Sequence, residues 1–387
     1  MKKLLNNLHE WAWETYFKVF EIIYSLCPIK RNKIVVTSYY GGDYGDNAKY
    51  IIEELKRQNA DVDDVWQLKD GLIEKNNLPS GVRGVRYRSR QAVYELQTAG
   101  VWIDNARKTY GRKRKGQLYI QTWHGGPGVK RIEKDVADEL GKKYVKTAKR
   151  DSKMTDVILS NSDFMTNLYK NVFWYNGEIL ECGTPRNDIL YNGSEEISRK
   201  VRDFYNLPQD KKIVLYAPTF RKDHRLDVYN IDLERVNKTL AQKFGGSWAA
   251  FTRLHPNIAD KADLIKTDGV NVINATLYPD MQELLCACDC LITDYSSSDV
   301  DYLLTKKPCF LYACDIEEYR DNRGYYFGFD DLPFTIAKDN DELSHHIKSF
   351  NFDEYYARIK EFHKMTGVFD KGTACAAAAQ LIIKSIK

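Results

Sequence analysis

Long apolar runs are missing from this 387-residue chain. No stretch of about 18 uncharged apolar residues occurs, so no segment reads as a membrane-spanning helix. No small-residue cleavage site follows the apolar N-terminal stretch, so a secretory signal peptide is not expected. The eight cysteines form no CxxC pair, which argues against zinc and thioredoxin-type chemistry. Cys286, Cys288 and Cys290 lie two apart in an apolar stretch, and free buried thiols in a reducing cytosol are expected. An excess of one charge is also lacking. With 58 Lys+Arg against 54 Asp+Glu the net charge is +4, so a globally basic nucleic-acid binder is not indicated. Neither G-x-x-x-x-G-K nor a G-x-G-x-x-G following a strand is present, and no tandem repeat of short period is visible.

What is present is ordinary globular composition, 43% hydrophobic and 29% charged, long enough for two domains. Residues 2–26 read as a helix. Asn7, Glu10, Glu14, Lys18 and Glu21 form one polar stripe at spacings of three and four. The remaining face, with Leu4, Leu8, Trp11, Trp13, Phe17 and Phe20, is wider than a surface helix needs. It fits a helix lying on a membrane surface and equally a helix packed on the protein body.

From residue 31 the pattern alternates between strands and helices. Strands are expected at 34–38, 101–104, 118–122, 156–160 and 178–182, with helices at 47–57, capped by Asp46, and 163–172. A break falls at Leu207-Pro208-Gln209-Asp210. A second series follows, with strands at 213–217, 249–254, 270–274, 290–293, 309–312 and 334–336. Its helices are expected at 233–244, 280–288, 297–305 and 340–350, and the tail at 353–365 and 373–386 is helical. This repetition predicts an α/β protein of two doubly wound parallel-sheet domains facing a cleft. The expected division is 1–30 for the amphipathic helix, 31–206 for the first domain and 207–387 for the second. Ligands of such sheets bind at the carboxyl ends of strands, so the loops after them carry the chemistry.

Trp123-His124-Gly125-Gly126-Pro127-Gly128 follows a strand directly. Its glycines let a substrate approach the backbone, and His124 can act as a general base near neutral pH. The letters also resemble a hydrolase oxyanion loop, but no G-x-S-x-G elbow accompanies it, since Gly245-Gly246-Ser247-Trp248-Ala249 lacks the last glycine. Arg253-Leu254-His255-Pro256-Asn257 delivers a second histidine to a strand end, where it can bind phosphate or protonate a leaving group. Thr293-Asp294-Tyr295-Ser296-Ser297-Ser298 opens a helix, and hydroxyls with N–H groups at such a start suit an anion. The Asp299-x-Asp301 string falls inside that helix start and is a poor metal site. Arg221, in Ala217-Pro218-Thr219-Phe220-Arg221, can reach a phosphate with its planar fork. Gly183-Thr184-Pro185-Arg186-Asn187-Asp188 ends the first half, as a loop or as a ligand contact. From 107 to 150 there are 14 Lys+Arg against four Asp+Glu, a net of about +10 around the His124 loop. That charge suits an anionic partner such as lipid phosphate or headgroups, or else a solvated face. Nucleic acid is disfavoured because no reading motif accompanies it.

These strings, with Ser160-Asn161-Ser162 and the segments 41–47 and 325–331, resemble the CDP-glycerol glycerophosphotransferase family, which builds teichoic acids and some capsules in bacteria. The resemblance spans residues 33–370. It implies a GT-B-like fold of two Rossmann-like domains and CDP-glycerol, or its relative CDP-ribitol, as donor. The acceptor it implies is a hydroxyl on a polyprenyl-diphosphate-linked saccharide or polymer, at the cytoplasmic face of the membrane. No cofactor and no dedicated metal site are implied. By the family pattern His124 is the catalytic base, and His255, Ser296 and Ser297 contact the donor diphosphate. Arg221, Arg253, Asn257, Thr293 and Asp294 are the further donor-side candidates. Gly41, Asp46, Gly125, Gly126 and Lys130 are the acceptor-side candidates.

A GT-B glycosyltransferase using a UDP- or GDP-sugar stays as a rival, although its donor loop often carries a Glu where this chain has Asp294 and serines. A non-catalytic polyanion- or membrane-binding protein is a second rival, opposed by the loop histidines in both halves. The lack of an extra N-terminal domain argues against the large bifunctional polymerases. The residues leave primase against polymerase, glycerol against ribitol, wall polymer against capsule, and the oligomeric state open.

Overall fold

The computed structural model describes residues 13, 15–74, 78–79, 81–127, 130–219, 221, 229–254, 271–317 and 324–387. The chain divides into two compact units. The first comprises Met1–His124, Ile132–Asp188 and Phe369–Lys387, and the second comprises Gly125–Arg131 and Ile189–Val368.

The first unit is built on seven strands: β1 Lys30–Thr37, β2 Asp63–Leu68, β3 Arg83–Arg86, β4 Ala99–Asp104, β5 Leu118–Gln121, β6 Val157–Ser160 and β7 Glu178–Glu181. Their order is β3-β2-β1-β4-β5-β6-β7, and every pairing between them is parallel. Such a sheet needs cover on both faces, which explains continuous runs such as Ile34-Val35-Val36. Ile34 and Val36 pack into one apolar cluster with Ile51, Leu55, Val101 and Ile103. Val35 points the other way, into a cluster with Val93, Leu96, Trp102 and Tyr119. Successive side chains on a strand alternate faces, so the two clusters are the two sides of one sheet.

The second unit repeats this plan with six strands: β8 Lys212–Tyr216, β9 Trp248–Thr252, β10 Val272–Asn274, β11 Cys290–Thr293, β12 Cys309–Tyr312 and β13 Thr335–Ala337. The order is β10-β9-β8-β11-β12-β13, again all parallel. Ile213, Leu215, Leu291 and Leu311 face one cluster, while Val214, Tyr216, Ile292 and Phe310 face the other. Each half is therefore the doubly wound, Rossmann-like sheet that a GT-B-like fold requires. None of the eight cysteines is joined in a disulfide, and Cys286, Cys288, Cys290 and Cys309 are buried.

These units divide the chain differently from the expected limits. The division falls after Asp188 and not at 206. The helix Glu195–Phe204 places Val201 in the second unit's core with Leu284 and Leu285, and Lys200 Nζ lies 2.8 Å from Glu283. The tail also returns to the first unit. Along the helix Ala374–Ile386, Ala378, Ala379 and Ile382 pack with Ile51 and Leu55 of the helix Asp46–Arg57. Small alanines let the two helices approach closely.

Of the N-terminal helix, residues 15–24 are described as helical. Phe17 is buried against Val35, Val65 and Tyr110, with Phe20 and Tyr24 partly buried beside it. Packing on the body is thus real for this face. Trp13, Tyr16, Val19, Ile22 and Ile23 nevertheless stay exposed, as does Leu26 just beyond the helix. Among the described residues no helix is long and apolar enough to cross a membrane.

Candidate functional site

Parallel pairing sends every strand's carboxyl end to the same edge of its sheet. In the first sheet the chain runs outward from β1 through β2 to β3, then returns to β4 on the other side of β1. The loops after β1 and β4 therefore diverge and open a crevice, the usual ligand position of such folds. Thr37 and Asp104 are the register partners at this point. The second sheet has the same reversal between β8 and β11.

His124 follows β5, and its ring turns back to the loop after β4. Nδ1 lies 2.5 Å from the Asn105 carbonyl. A carbonyl only accepts, so Nδ1 carries the hydrogen and Nε2 of the neutral ring presents its lone pair. The ring rests against Trp123, at 4.4 Å between centroids, and Tyr39, at 5.5 Å. Burial pushes its pKa below the ordinary value and the Arg186 guanidinium adds to this, while the Asn105 carbonyl and the Asp46 carboxylate oppose it. The net direction is downward, so the ring is neutral, and able to take a proton, at neutral pH.

The loops that hold this histidine are tied by one network. Arg186 Nη1 donates to Asp46 Oδ2 at 2.7 Å and Nη2 to the His124 carbonyl at 3.1 Å. Asn47 Nδ2 donates to the Trp123 carbonyl at 3.1 Å, and Asn47 Oδ1 accepts from the Arg186 backbone. The Tyr39 hydroxyl donates to Asp46 Oδ2 at 2.6 Å, and the Tyr39 backbone N–H to Asn105 Oδ1 at 2.8 Å. Burial alone would raise the Asp46 pKa, but Arg186, Tyr39 and the Asn47 N–H outweigh it and hold the carboxyl below its usual range. Of ten non-glycine residues with positive φ among the described residues, Tyr39, Tyr40, Asp46 and Trp123 belong to this cluster. Each such conformation costs about 1–3 kcal/mol and persists where the surroundings over-determine it, which is common at functional sites.

In the second unit the loops after β8 and β11 are joined through Arg221. Its Nε and Nη2 donate to the two oxygens of Asp315, at 2.7 and 3.1 Å. Nη1 donates to the Thr219 hydroxyl at 2.7 Å and lies 2.9 Å from Asp294 Oδ2. The guanidinium also covers the Tyr295 ring at 4.9 Å. Asp294 Oδ1 accepts from the N–H groups of Thr219 and Tyr295 at 2.8 and 2.6 Å. Beside this cage Ser296, Ser297 and Ser298 are partly exposed. Ser296 Oγ and Ser298 Oγ are 2.8 Å apart, and the Ser298 N–H points to Ser296 Oγ at 3.3 Å.

The placements revise several expectations. Arg221 is engaged within the protein, its fork shared among Asp315, Asp294 and Thr219. Asp294 and Thr293 likewise bond within the protein, the Thr293 hydroxyl to the Ala217 carbonyl at 2.7 Å. Arg253 Nη1 donates to the Tyr278 carbonyl at 2.5 Å. Asp46 is the first residue of its helix and Gly45 the cap, since the carboxylate is drawn to Arg186. Gly41 has φ +77° and a Cβ there would lie 3.0 Å from the Gln67 carbonyl, so it serves the turn. At Gly125 a Cβ would meet nothing within 4 Å, so that site keeps open space. Gly126 is buried. Lys130 falls within the second unit, where it forms an isolated β-bridge with Tyr325. His255 and Asn257 lie outside the described residues. Of the basic run, Arg107 is buried on Glu133 and Asp151, and Lys108 on Asp104, so part of its charge is neutralised internally. Among the described residues no three His, Cys, Asp or Glu side chains are placed to hold a metal, and Asp301 Oδ2 accepts instead from Gln282 Nε2 at 3.4 Å. Asn105, Tyr39 and Asp315 were not anticipated. Asn105 and Asp315 follow β4 and β12 closely, so the rule that strand ends carry function could have found both.

The family described as CDP-glycerol:poly(glycerophosphate) glycerophosphotransferase matches residues 19–384. The teichoic acid poly(glycerol phosphate) polymerase of Staphylococcus epidermidis is 33% identical over 374 residues, 93% of this chain and 51% of that protein. The chain thus spans about half the length of such polymerases. The teichoic acid glycerol-phosphate transferase of Staphylococcus aureus is 29% identical over 402 residues, 99% of this chain and 100% of that protein. A teichoic acid ribitol-phosphate primase of Bacillus spizizenii is 28% identical, covering 99% and 98% of the two chains. The solved structure of a variant of the wall teichoic acid polymerase TagF soaked with CDPG superposes with a TM-score of 0.84 at 30% identity, over 100% of this chain and 97% of that one.

The histidine's environment yields a direct test. In a titration followed by NMR, His124 protonates below the ordinary histidine value of 6.5. Asp46→Asn lowers it further, because a carboxylate that favours the imidazolium is gone and Arg186 loses its counter-charge. An upward shift in the variant would contradict the geometry.

Proposed function

We propose that this chain, which belongs to the CDP-glycerol:poly(glycerophosphate) glycerophosphotransferase family, transfers glycerol phosphate from CDP-glycerol. The receiving group is a hydroxyl of a polyprenyl-diphosphate-linked saccharide or polymer in teichoic acid or capsule synthesis, in a primase-like reaction. The observation that carries the reading is His124, a neutral imidazole held by its Nδ1–H with Nε2 left as a base. The acceptor oxygen attacks the phosphorus that bears glycerol. Its proton passes to His124 Nε2, the new O–P bond forms, the bridging P–O bond breaks, and CMP leaves. Charge on the transferring phosphate needs fixed donors. The hydroxyls and N–H groups of Ser296, Ser297 and Ser298 supply them, in a loop fixed by Asp294, Arg221 and Asp315. His255 and Asn257 would complete this donor site. Arg186 and Asp46 keep the base in place and contribute no net charge of their own.

Ribitol-phosphate relatives of similar identity make CDP-ribitol the second donor to consider. The test is CMP release from each donor with a lipid-linked disaccharide acceptor. Acceptor-dependent release from CDP-glycerol, reduced about 10²–10⁴-fold in His124→Ala, is the expected outcome. Release from CDP-ribitol alone would move the donor. No release from either would sink the reading, and product mass separates one added unit from many.

The enzyme would work as a peripheral protein on an anionic membrane surface at its cytoplasmic face. Ile22, 66% exposed, and Leu26, 87% exposed, continue the apolar face of the N-terminal helix. Lys142, Lys143, Lys146 and Lys149 lie exposed along the helix Lys142–Met154. An apolar face and a basic patch are the two signals that stable peripheral binding needs. In vesicle co-sedimentation, Ile22→Ser with Leu26→Ser is expected to weaken binding to anionic vesicles by about tenfold or more, given ~1.5–3 kcal/mol per buried side chain. Unchanged sedimentation would contradict a membrane role for this face.

A further inference from the structure

The guanidinium of Arg107 holds a place that the proton-transfer scheme does not use. Arg107 follows β4 in the same loop as Asn105 and is buried. Its Nη2 donates to Glu133 Oε2 at 2.9 Å. Nη1 donates to the Ser152 hydroxyl at 2.9 Å and to Asp151 Oδ2 at 3.3 Å. Cζ stands 4.7 Å from the Phe173 ring centroid and 5.5 Å from that of Trp123. The Trp123 ring is the one on which His124 rests, and it meets Phe173 edge to face at 4.7 Å between centroids.

These contacts close the two ends of one loop. The chain leaves the first unit after His124 and rejoins it at Ile132. Trp123 stands just before that excursion and Glu133 just after it, both at φ +53°. Left-handed residues other than glycine persist where their surroundings over-determine them. One guanidinium serves both, lying over the Trp123 ring and binding the Glu133 carboxylate. The Tyr144 hydroxyl donates to the other oxygen of Glu133. The His124 ring is thus gripped from two directions by residues of the β4 loop. Asn105 takes its Nδ1–H, and Arg107 backs the Trp123 ring against it.

Stability alone does not call for this arrangement, since apolar residues of like size often replace a buried ion pair without loss. What an apolar side chain cannot do is bind two carboxylates with a planar fork and cover two aromatic rings at once.

We propose that Arg107, paired with Glu133, is a positioning residue for the base: it clasps the stem of the glycine loop and sets the Trp123 ring that aims His124 Nε2 at the acceptor hydroxyl. The inference rests on the transferase reading above.

The test uses the full chain. Arg107→Met with Glu133→Leu removes the pair as a unit, while Asp151 keeps the Tyr119 hydroxyl and the Lys108 N–H as donors. With CDP-glycerol and a lipid-linked disaccharide, kcat is expected to fall about 10–100-fold with the donor KM unchanged, as a small misplacement of a reacting group requires. A nitrogen NMR spectrum of the imidazole is the second readout. In mildly alkaline buffer the wild type shows the Nδ1–H tautomer alone, and the variant a mixture, because the ring no longer meets the Asn105 carbonyl squarely. Arg107→Lys keeps the charge without the fork. It is expected to show both changes in lesser degree, and it carries the test if the double variant does not fold. An unchanged kcat in a folded variant overturns the proposal. So does a fall in kcat with the Nδ1–H tautomer intact, which would make the pair a structural one. If the wild type releases no CMP, the transferase reading fails separately, and the tautomer still decides whether Arg107 positions the ring.

Discussion

Parallel strand pairing is the constraint from which the candidate chemistry follows. Each strand must be followed by a crossover before the next can pair, so the carboxyl ends gather at one edge and their loops are free to vary. Because each chain segment starts from the middle of its sheet, at β1 and at β8, the crossover reverses once per sheet. The crevices left by those reversals hold Thr37 and Asp104 in the first unit and the Arg221 cage in the second. Neither arrangement needs an unusual motif. Both need only that a few polar residues stand just past the strands.

What the loops then do is limit freedom. A single hydrogen bond to a backbone carbonyl settles the tautomer of the His124 ring. The price is a set of left-handed residues and a buried Asp46–Arg186 pair. The second unit uses the same logic with opposite polarity: two carboxylates, Asp294 and Asp315, grip one arginine beside the serine loop. Charges near a reacting phosphate are useful only when they do not have to reorganise.

Much of this was legible in the residues. The β-branched runs of β1, β4, β8 and β11 mark buried parallel strands, and the helix Leu233–Phe244 lies where its period places it. The strand Asp63–Leu68 escaped notice because it opens on two acidic residues, and Arg83–Arg86 because two arginines flank only Gly84 and Val85. Their charges sit at a sheet edge, where Arg83 pairs with Asp63 across strands at 2.8 Å. Histidine 124 was readable because a histidine between a strand and glycines has little packing purpose. The engagement of Arg221 was not, since Asp315 lies 94 residues away and its contact depends on strand order. The division into units was hidden for the same reason. A short amphipathic helix such as Glu195–Phe204 carries no label saying which core it will join.

In the proposed reaction the serine loop holds the donor and His124 removes the proton. Calorimetric titration with CDP-glycerol tests that division without turnover. His124→Ala should bind the donor as tightly as the wild type, and Ser296→Ala with Ser298→Ala should bind it about tenfold or more weakly, as loss of hydrogen bonds to a charged group requires. Donor binding lost in His124→Ala but kept in the serine variant would contradict the account.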